Sequence, residues 1–308
     1  MSDQPLKILV LAGGDSNERA VSLRSGKAVA SSLEAKGHTV TLHDPIKKLT
    51  REQAKAVDVV FPVLHGAGGE DGVIQELLED FGIPYVGSAV VASQLCFDKS
   101  MHRTKVQRAG IRMPNGNYAW TWSLDDDPLF EQPFVLKPYA GGSSLDTFVV
   151  RDVAAADWEA ITGALEKYGE MLLEELIVGT EITIGVLGDT PLPVIEIIPP
   201  QSGEFDYENK YNGATQELCP PKNVSAEVQL AAQGLALTIH QLCDCRDFSR
   251  TDMIVDAEDK LWVLETNTIP GMTDQSLFPK SAAVAGVIMP ELVDQLVRRA
   301  VARHTQEP

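Results

Sequence analysis

Apolar positions and their spacing divide the chain into three stretches of different texture. Residues 6–11 form a short apolar run of strand length, followed by the turn-forming Ala-Gly-Gly-Asp-Ser. The spacing over 20–36 predicts a helix, stopped by Gly37. A strand near Thr39, another over 57–64 and a helix over 71–80 follow. Strand and helix alternate, so a parallel sheet of βαβ units is expected here.

From about residue 97 the texture changes. A basic helix is predicted over 99–108, and a strand over 133–138 carries Lys137. Gly141-Gly-Ser-Ser144 makes a glycine-rich loop before a strand at 147–150, and a further strand spans 171–178. The third stretch opens near Glu181 with a hairpin, 182–187 and 192–198, about Gly188-Asp189. Residues 199–221 are polar, bracketed by Pro-Pro pairs, and show no period; a loop of that length inside a compact domain is usually functional. A helix over 226–242, strands at 248–255 and 261–267, and a helix with an apolar stripe over 287–304 complete the reading. The expected division is 1–96, 97–180 and 181–308.

The two strands at 248–255 and 261–267 carry the densest chemistry. Side chains two apart on a strand share a face, which groups Arg250 with Asp252 and Glu265 with Asn267. A hairpin turning at Glu258-Asp259 sets Asp252 opposite Glu265. Two carboxylates, a carboxamide oxygen and a guanidinium then meet on one sheet face. Oxygen ligands at that density suit Mg²⁺ held together with substrate phosphates, and the arginine suits a phosphoryl group in transfer. The same residues also fit a solvated polar face, but two such pairs at matching heights, flanked by apolar residues, favour a site.

Composition narrows the classes. The chain has 308 residues, near the limit of one hydrophobic core, so two or three domains around a cleft are expected. Its 26 basic and 44 acidic side chains give a net charge of −18, which disfavours nucleic acid and anionic membrane surfaces as partners. No window holds the roughly 18 consecutive apolar residues of a membrane span, and no signal peptide is evident. Cys96, Cys219, Cys243 and Cys245 lack zinc-motif spacing and read as reduced thiols of a cytoplasmic protein.

Other loops add chemistry. The glycines and serines of 141–144 fit a phosphate-binding turn after Lys137, or a plain flexible hairpin. Glu174-Glu-Leu-Ile177 ends a strand before Glu181 and fits a nucleoside-reading edge, or an exposed charged edge. Glu18 lies between the first strand and first helix, where parallel α/β sheets bind ligands; it suits a substrate ammonium. The missing G-x-G-x-x-G disfavours a nicotinamide cofactor. His65 opens His-Gly-Ala-Gly-Gly-Glu-Asp-Gly and fits a carboxylate contact, a proton shuttle or a helix cap. Thr273 is the expected N-cap of the helix after Ile-Pro-Gly-Met, which places Ser276 in its first turn near a bound carboxylate. The Gly271 N–H and Arg250 fit an oxyanion.

Taken in order, these features resemble the ATP-grasp enzymes, and within them the D-alanine–D-alanine ligases. The resemblance covers nearly the whole chain. It rests on Gly-Gly-Asp-Ser-Asn-Glu-Arg-Ala-Val-Ser-Leu-Arg-Ser-Gly at 13–26, the histidine motif at 65–72, Lys137-Pro138, Gly-Ser-Ser at 142–144, Glu174, Glu181, Lys210-Tyr211, Arg250, Asp252, and Glu-Thr-Asn-Thr-Ile-Pro-Gly-Met-Thr at 265–273.

The resemblance implies an N-terminal α/β substrate-binding domain and two α+β subdomains enclosing ATP. It implies that Lys99, Lys137, Ser143, Ser144 and Lys210 contact ATP phosphates. Glu174, with Glu175, Leu176 and Ile177, would read adenine, and Glu181 the ribose. Asp252, Glu265 and Asn267 would hold two Mg²⁺ or Mn²⁺ ions. D-alanine would bind near Glu18, with His65, Asp252, Ser276 and Leu277 completing the amino-acid sites. Glu18, Ser143 and Tyr211 would form a hydrogen-bonded group, and Arg250 with the Gly271 N–H would stabilise the tetrahedral intermediate. The loops at 141–146 and 199–221 would act as lids. Tyr211 goes with D-alanine rather than D-lactate as acceptor. A homodimer and a role in peptidoglycan synthesis are expected on the same ground. One departure is that Asp146 stands where the family has a glycine. Its carboxylate would repel a triphosphate unless it turns away or meets a metal or lysine. An ATP-grasp ligase for another amino or hydroxy acid, or a homologue that binds nucleotide without catalysis, is the alternative reading.

Overall fold

The computed structural model describes residues 4–141, 146–199 and 215–305. Three sheets organise them. The first has order β2-β1-β3, all parallel, from β1 (Lys7–Leu11), β2 (Thr39–His43) and β3 (Val59–Pro62). Parallel neighbours need crossovers, supplied by α1 (Arg19–Ala35), which ends before Gly37 at φ 85°, and by α2 (Arg51–Lys55). After α3 (Val73–Phe81) the chain returns, and Tyr85 bridges in parallel to Val60.

Helices α4 (Val90–Phe97) and α5 (Lys99–Arg108) meet at Asp98, whose carboxylate accepts from the Ser100 and Met101 N–H groups and so caps α5. The second sheet is antiparallel, order β4-β7-β5-β6, from β4 (Gly116–Ala119), β5 (Phe134–Lys137), β6 (Phe148–Val150) and β7 (Met171–Glu175). Helix α6 (Trp158–Tyr168) covers it and is absent from the sequence reading, although Ile161, Ala164 and Leu165 carry helical spacing and are buried against Phe134 and Leu136. Strand β7 lies inside this sheet, paired on both sides, so Glu174 is not on an exposed edge.

The third sheet has order β11-β10-β8-β12-β13 with β9 also on β8, all antiparallel. Its strands are β8 (Thr180–Leu187), β9 (Thr190–Pro191), β10 (Ile195–Ile198), β11 (Gln216–Leu218), β12 (Phe248–Val255) and β13 (Leu261–Asn267). The hairpin about Gly188-Asp189 forms, but β9 stops after two residues and β10 resumes at Ile195. Strand β11 lies within the segment expected to lack structure; only three residues long, it is too short to show a period.

Helix α7 (Ala226–Leu242) packs beneath this sheet, with Val228, Ala232, Ala236 and Ile239 buried against Ile182, Ile184 and Met253. The chain then returns to its beginning. Helices α8 (Leu277–Val284) and α9 (Met289–His304) follow, and Leu292, Val293, Leu296 and Val297 of α9 enter one core with Ile8, Val10 and Phe61 of the first sheet. Polar clamps fix this contact. His38 Nε2 lies 2.8 Å from Asp294 Oδ1. Arg303 binds the buried Asp247 at 2.5 Å and donates to the Tyr85 carbonyl at 2.9 Å. No helix among the described residues is long and apolar enough to cross a membrane.

Candidate active site

The site is built first on the β12–β13 hairpin. Asp252 does pair with Glu265, and Arg250 with Asn267, but by a different route from the expected turn. Val255 pairs with Leu261, which makes the loop five residues long and centres it on Glu258; Asp259 takes a φ of 59°. The register then shifts between Asp252 and Met253, leaving Leu264 as an extra residue. That bulge restores the Asp252–Glu265 pairing, as bulges re-aim side chains near active sites.

Arg250 holds Asp252 through two bonds of 2.9 Å, and Thr183 Oγ1 donates to the same carboxylate at 2.5 Å. Burial works against the Arg250 charge, but Asp252, Glu265 and Glu70 more than offset it and hold the guanidinium above its ordinary value. Lys99 Nζ lies 3.3 Å from Glu265 Oε2 and donates to the Gly141 carbonyl at 2.6 Å.

Two adjoining cavities of about 730 and 960 Å³ open on this face, each large enough for a small-molecule substrate. They share Glu18, Phe97, Lys99, Gly141 and Glu265. The first is lined by Glu18, His65, Glu70, Arg250, Asn267, Gly271, Ser276 and Leu277. The second is lined by Lys137, Glu174, Glu175, Leu176, Ile177, Glu181 and Asp252.

Loops from distant parts of the chain converge on the first cavity. Ser16 Oγ donates to the His65 carbonyl at 2.6 Å, joining the loop before α1 to the loop after β3. Gly66 has φ 77°, and a Cβ there would lie 2.8 Å from Glu18 Oε2, so the carboxylate's close approach requires glycine. His65 is a tie rather than a cap. Its Nε2 meets Ser25 Oγ at 3.1 Å and its Nδ1 meets the Ile269 carbonyl at 3.1 Å. The Ile-Pro-Gly-Met turn is thereby fixed against the first sheet. A Cβ on Gly271 would lie 2.7 Å from Ser276 Oγ.

The N-cap of α8 is Ser276 instead of Thr273, so the helix starts three residues later than expected. The reason is local: Ser276 Oγ turns back to accept from the Thr273 N–H at 3.0 Å, which closes a turn before the helix begins. Ser276 still lines the cavity at a helix N-terminus.

In the second cavity Lys137 and Glu174 form a buried pair, Nζ to Oε2 2.7 Å, with Arg103 Nη1 3.4 Å from the other carboxylate oxygen. Burial would lower the Lys137 ammonium, yet Glu174 and Glu265 more than offset this and hold it above the ordinary lysine value. Both Glu174 oxygens face cations, so its carboxylate acts on the cavity through Lys137. Asp146 meets a lysine: Lys167 Nζ lies 2.6 Å from its Oδ2, with Tyr168 OH at 2.5 Å. Ser143, Ser144, Lys210 and Tyr211, with most of both expected lids, lie outside the described residues.

Glu70 is a cavity residue that the sequence reading leaves without a role. It is buried, with Oε1 3.8 Å from His65 Nδ1, and burial pushes its carboxyl up. The signal was its place five residues after His65 in the same glycine-rich motif. Thr183 was likewise unmarked, because only its pairing opposite Asp252 gives it a contact.

Among the described residues no ready-made group of three or more His, Cys, Asp or Glu holds a metal ion by itself. The donor set on the hairpin still fits Mg²⁺, which takes one or two carboxylates and completes its shell with water and phosphate oxygens. Asp252 and Glu265 supply the carboxylates, and Asn267 a carboxamide oxygen whose other bond, from the Ile269 N–H, is 2.7 Å long.

A parallel α/β sheet followed by two antiparallel sheets, with a lysine and acidic cleft between them, defines an ATP-grasp architecture. Residues 125–298 match the family described as D-ala D-ala ligase C-terminus, and residues 41–88 match D-ala D-ala ligase N-terminus. A D-alanine–D-alanine ligase of Syntrophobacter fumaroxidans is 42% identical over 98% of this chain and 99% of its own. One of Erythrobacter litoralis is 40% identical over 97% and 94%. Among solved structures, the D-alanine–D-alanine ligase of Bacillus anthracis superposes with a TM-score of 0.86 at 31% identity, covering 98% of this chain and 100% of that one. The VanG D-Ala:D-Ser ligase of Enterococcus faecalis gives 0.80 at 28% identity, covering 96% and 100%. The chain belongs to the D-alanine–D-alanine ligase family.

Proposed function

We propose that this protein joins two D-alanine molecules into D-alanyl-D-alanine, using ATP and passing through an acylphosphate, in the supply of peptidoglycan precursors. The observation that carries the reading is the meeting of two cavities at Lys99 and Glu265, one lined by amino-acid-binding chemistry and one by nucleotide-binding chemistry. In this reading ATP occupies the second cavity. Glu175, Leu176 and Ile177 line the adenine end, Glu181 takes the ribose, and Lys137, positioned by Glu174, meets the phosphates with Lys99, Ser143, Ser144 and Lys210. Asp252, Glu265 and Asn267 are the residues that would hold Mg²⁺, which neutralises phosphate charge when bound.

Glu18 takes the ammonium of the first D-alanine, whose carboxylate attacks the γ-phosphorus and releases ADP. The amine of the second D-alanine, its carboxylate held by Ser276 and Leu277, then attacks the acyl carbon. Arg250 and the Gly271 N–H face the oxyanion, and phosphate leaves. His65 keeps the Gly271 turn in place, and Glu18, Ser143 and Tyr211 close the site against water, which an acylphosphate requires. In this reading the chain divides into units at 1–96, 97–180 and 181–308. The protein acts as a cytoplasmic homodimer, which light scattering after size exclusion would test.

A second reading concerns the acceptor. The VanG D-Ala:D-Ser ligase shares this fold at a TM-score of 0.80, so overall shape leaves the second substrate open. One assay addresses both. Phosphate release is measured from ATP and Mg²⁺ with D-alanine, L-alanine, D-alanine with D-serine, and D-alanine with D-lactate, with products identified by mass. D-alanyl-D-alanine from D-alanine alone is the expected result. A mixed product that dominates would shift the acceptor, and ATP binding without turnover on any arm would refute the ligase reading.

A further inference from the structure

One buried histidine has no part in the proposed reaction. His102 lies on α5 and is 1% exposed. Its Nε2 is 3.0 Å from Thr266 Oγ1, across 164 residues of sequence, and Thr266 Oγ1 is 3.2 Å from Thr251 Oγ1. Both threonines are buried. They pair across the β12–β13 hairpin, Thr251 between Arg250 and Asp252, Thr266 between Glu265 and Asn267. Successive side chains on a strand point to opposite faces. The threonines, with His102 against them, therefore lie behind the face that carries Arg250 and the acidic residues.

The ring's other nitrogen is the informative atom. His102 Nδ1 is buried and has no hydrogen-bond partner among the described residues. A buried polar atom left without a partner costs stability. An apolar side chain of similar size would suit the position better if packing were its whole task. The bond to Thr266 is what the imidazole supplies and a leucine would not.

The place of that bond gives it a use. Strand β13 ends the third sheet and pairs there only with β12, so its outer side lacks the second ladder that fixes an inner strand. The Val263 N–H is tied to the Arg112 carbonyl at 3.0 Å. Nearer Asn267, α5 takes over. Lys99 and His102 stand at i and i+3 and share a side of the helix. Lys99 Nζ reaches Glu265 at 3.3 Å on one face of the strand, and His102 reaches Thr266 on the other. Helix α5 thus grips the edge strand from both faces, while Lys99 also donates to the Gly141 carbonyl at 2.6 Å.

We propose that His102 is a positioning residue. Through Thr266 it holds Glu265 and Asn267 at a fixed distance from Lys99, so that the metal ligands and the lysine engage one ATP together. The inference rests on the ligase reading and deepens it. Without this hold, β13 keeps ligands of the right kind in the wrong place. Groups that support metal ligands typically change metal affinity by about 10–100-fold. His102 acts through the Thr266 backbone, so the lower end, about tenfold, is expected.

The test is His102→Leu in the whole chain, with a non-hydrolysable ATP analogue titrated calorimetrically in Mg²⁺ and in EDTA. Affinity in Mg²⁺ should fall about tenfold, and affinity in EDTA should not change. The thermal midpoint of the metal-free protein should hold or rise, because an unpartnered nitrogen has been removed. In turnover, the Mg²⁺ concentration for half-maximal rate and the KM for ATP should rise, with the KM for D-alanine unchanged. His102→Gln, whose amide can reach Thr266, should recover most of the loss. Thr266→Val should reproduce the His102→Leu effect, and the double variant should be no worse than either alone. Equal loss of affinity in Mg²⁺ and EDTA, additive effects in the double variant, or a lowered midpoint with unchanged Mg²⁺ dependence would overturn the proposal. The binding measurement needs neither amino acid nor turnover, so its failure is distinct from failure of the ligase reading, in which the unaltered protein would release no phosphate.

Discussion

Two acidic residues, Asp252 and Asp146, each sit beside a cation, and they differ in almost everything else. The Asp252 pair with Arg250 lies on the β12–β13 face, with both side chains 15% exposed and contacts of 2.9 Å. The Asp146 pair with Lys167 lies by the loop after β5, with side chains 39 and 61% exposed and a contact of 2.6 Å. The shorter contact is the weaker constraint, because water screens it. Burial ranks these pairs; distance does not. The chain keeps enclosed charges where the cavities meet, Asp252 on the C-terminal sheet and Glu174 with Lys137 on the central one, and exposed ones such as Asp146 on the rim.

Glu265→Gln should break the enclosed side most severely. Turnover should fall by roughly 10²–10³-fold, the loss typical of removing one electrostatic stabiliser. Near-normal turnover at saturating Mg²⁺ would remove Glu265 from the ligand set. Gly271→Ala ranks next, since its Cβ would press on Ser276 Oγ at 2.7 Å. A shift of about 1 Å at the oxyanion turn should lower kcat by ~10-fold or more with little change in the KM for ATP. A rise confined to the nucleotide KM would argue against that assignment.

Acid titration sharpens the contrast. Burial tends to raise the Glu196 carboxyl, but the Asn223 N–H groups and the Lys222 N–H hold it below its ordinary value. Asp146 is lowered by Lys167 and then Tyr168. A depressed folded value means stability that is full above the ordinary carboxylate range and lost as pH falls through the folded value. Urea midpoints between about pH 6 and pH 3 should therefore flatten clearly in Glu196→Gln and little in Asp146→Asn. Equal flattening would mean that exposure does not separate the two regions. The smallest effect is expected from Asp146→Gly. Its carboxylate is engaged by Lys167 and Tyr168, so the KM for ATP should stay within about twofold, as for a surface pair. A large drop would place the carboxylate against the phosphates after all.

Much of the site was legible because its chemistry is local in sequence. Arg250, Asp252, Glu265 and Asn267 follow from strand periodicity and a short connection, and the pairing holds even though a longer loop and the Leu264 bulge deliver it. What stayed hidden is contact between distant segments. The apolar stripe of α9 says that one face is buried, but not that it meets Ile8 and Phe61. Glu174 reads as a free edge carboxylate until β5 places Lys137 beside it. His65 has three plausible local roles, and only the fold brings the Ile269 carbonyl to its ring.

The packing of α9 on the first sheet has a consequence for synthesis. When a ribosome has made β3, the first sheet exists as sequence but lacks the helix that covers one of its faces. Its clamp from His38 to Asp294 spans 256 residues. At about 5–20 residues per second the wait is on the order of tens of seconds. Throughout that interval Ile8, Val10 and Phe61 have α1 beside them but not α9, so the nascent chain keeps part of that apolar face open to solvent.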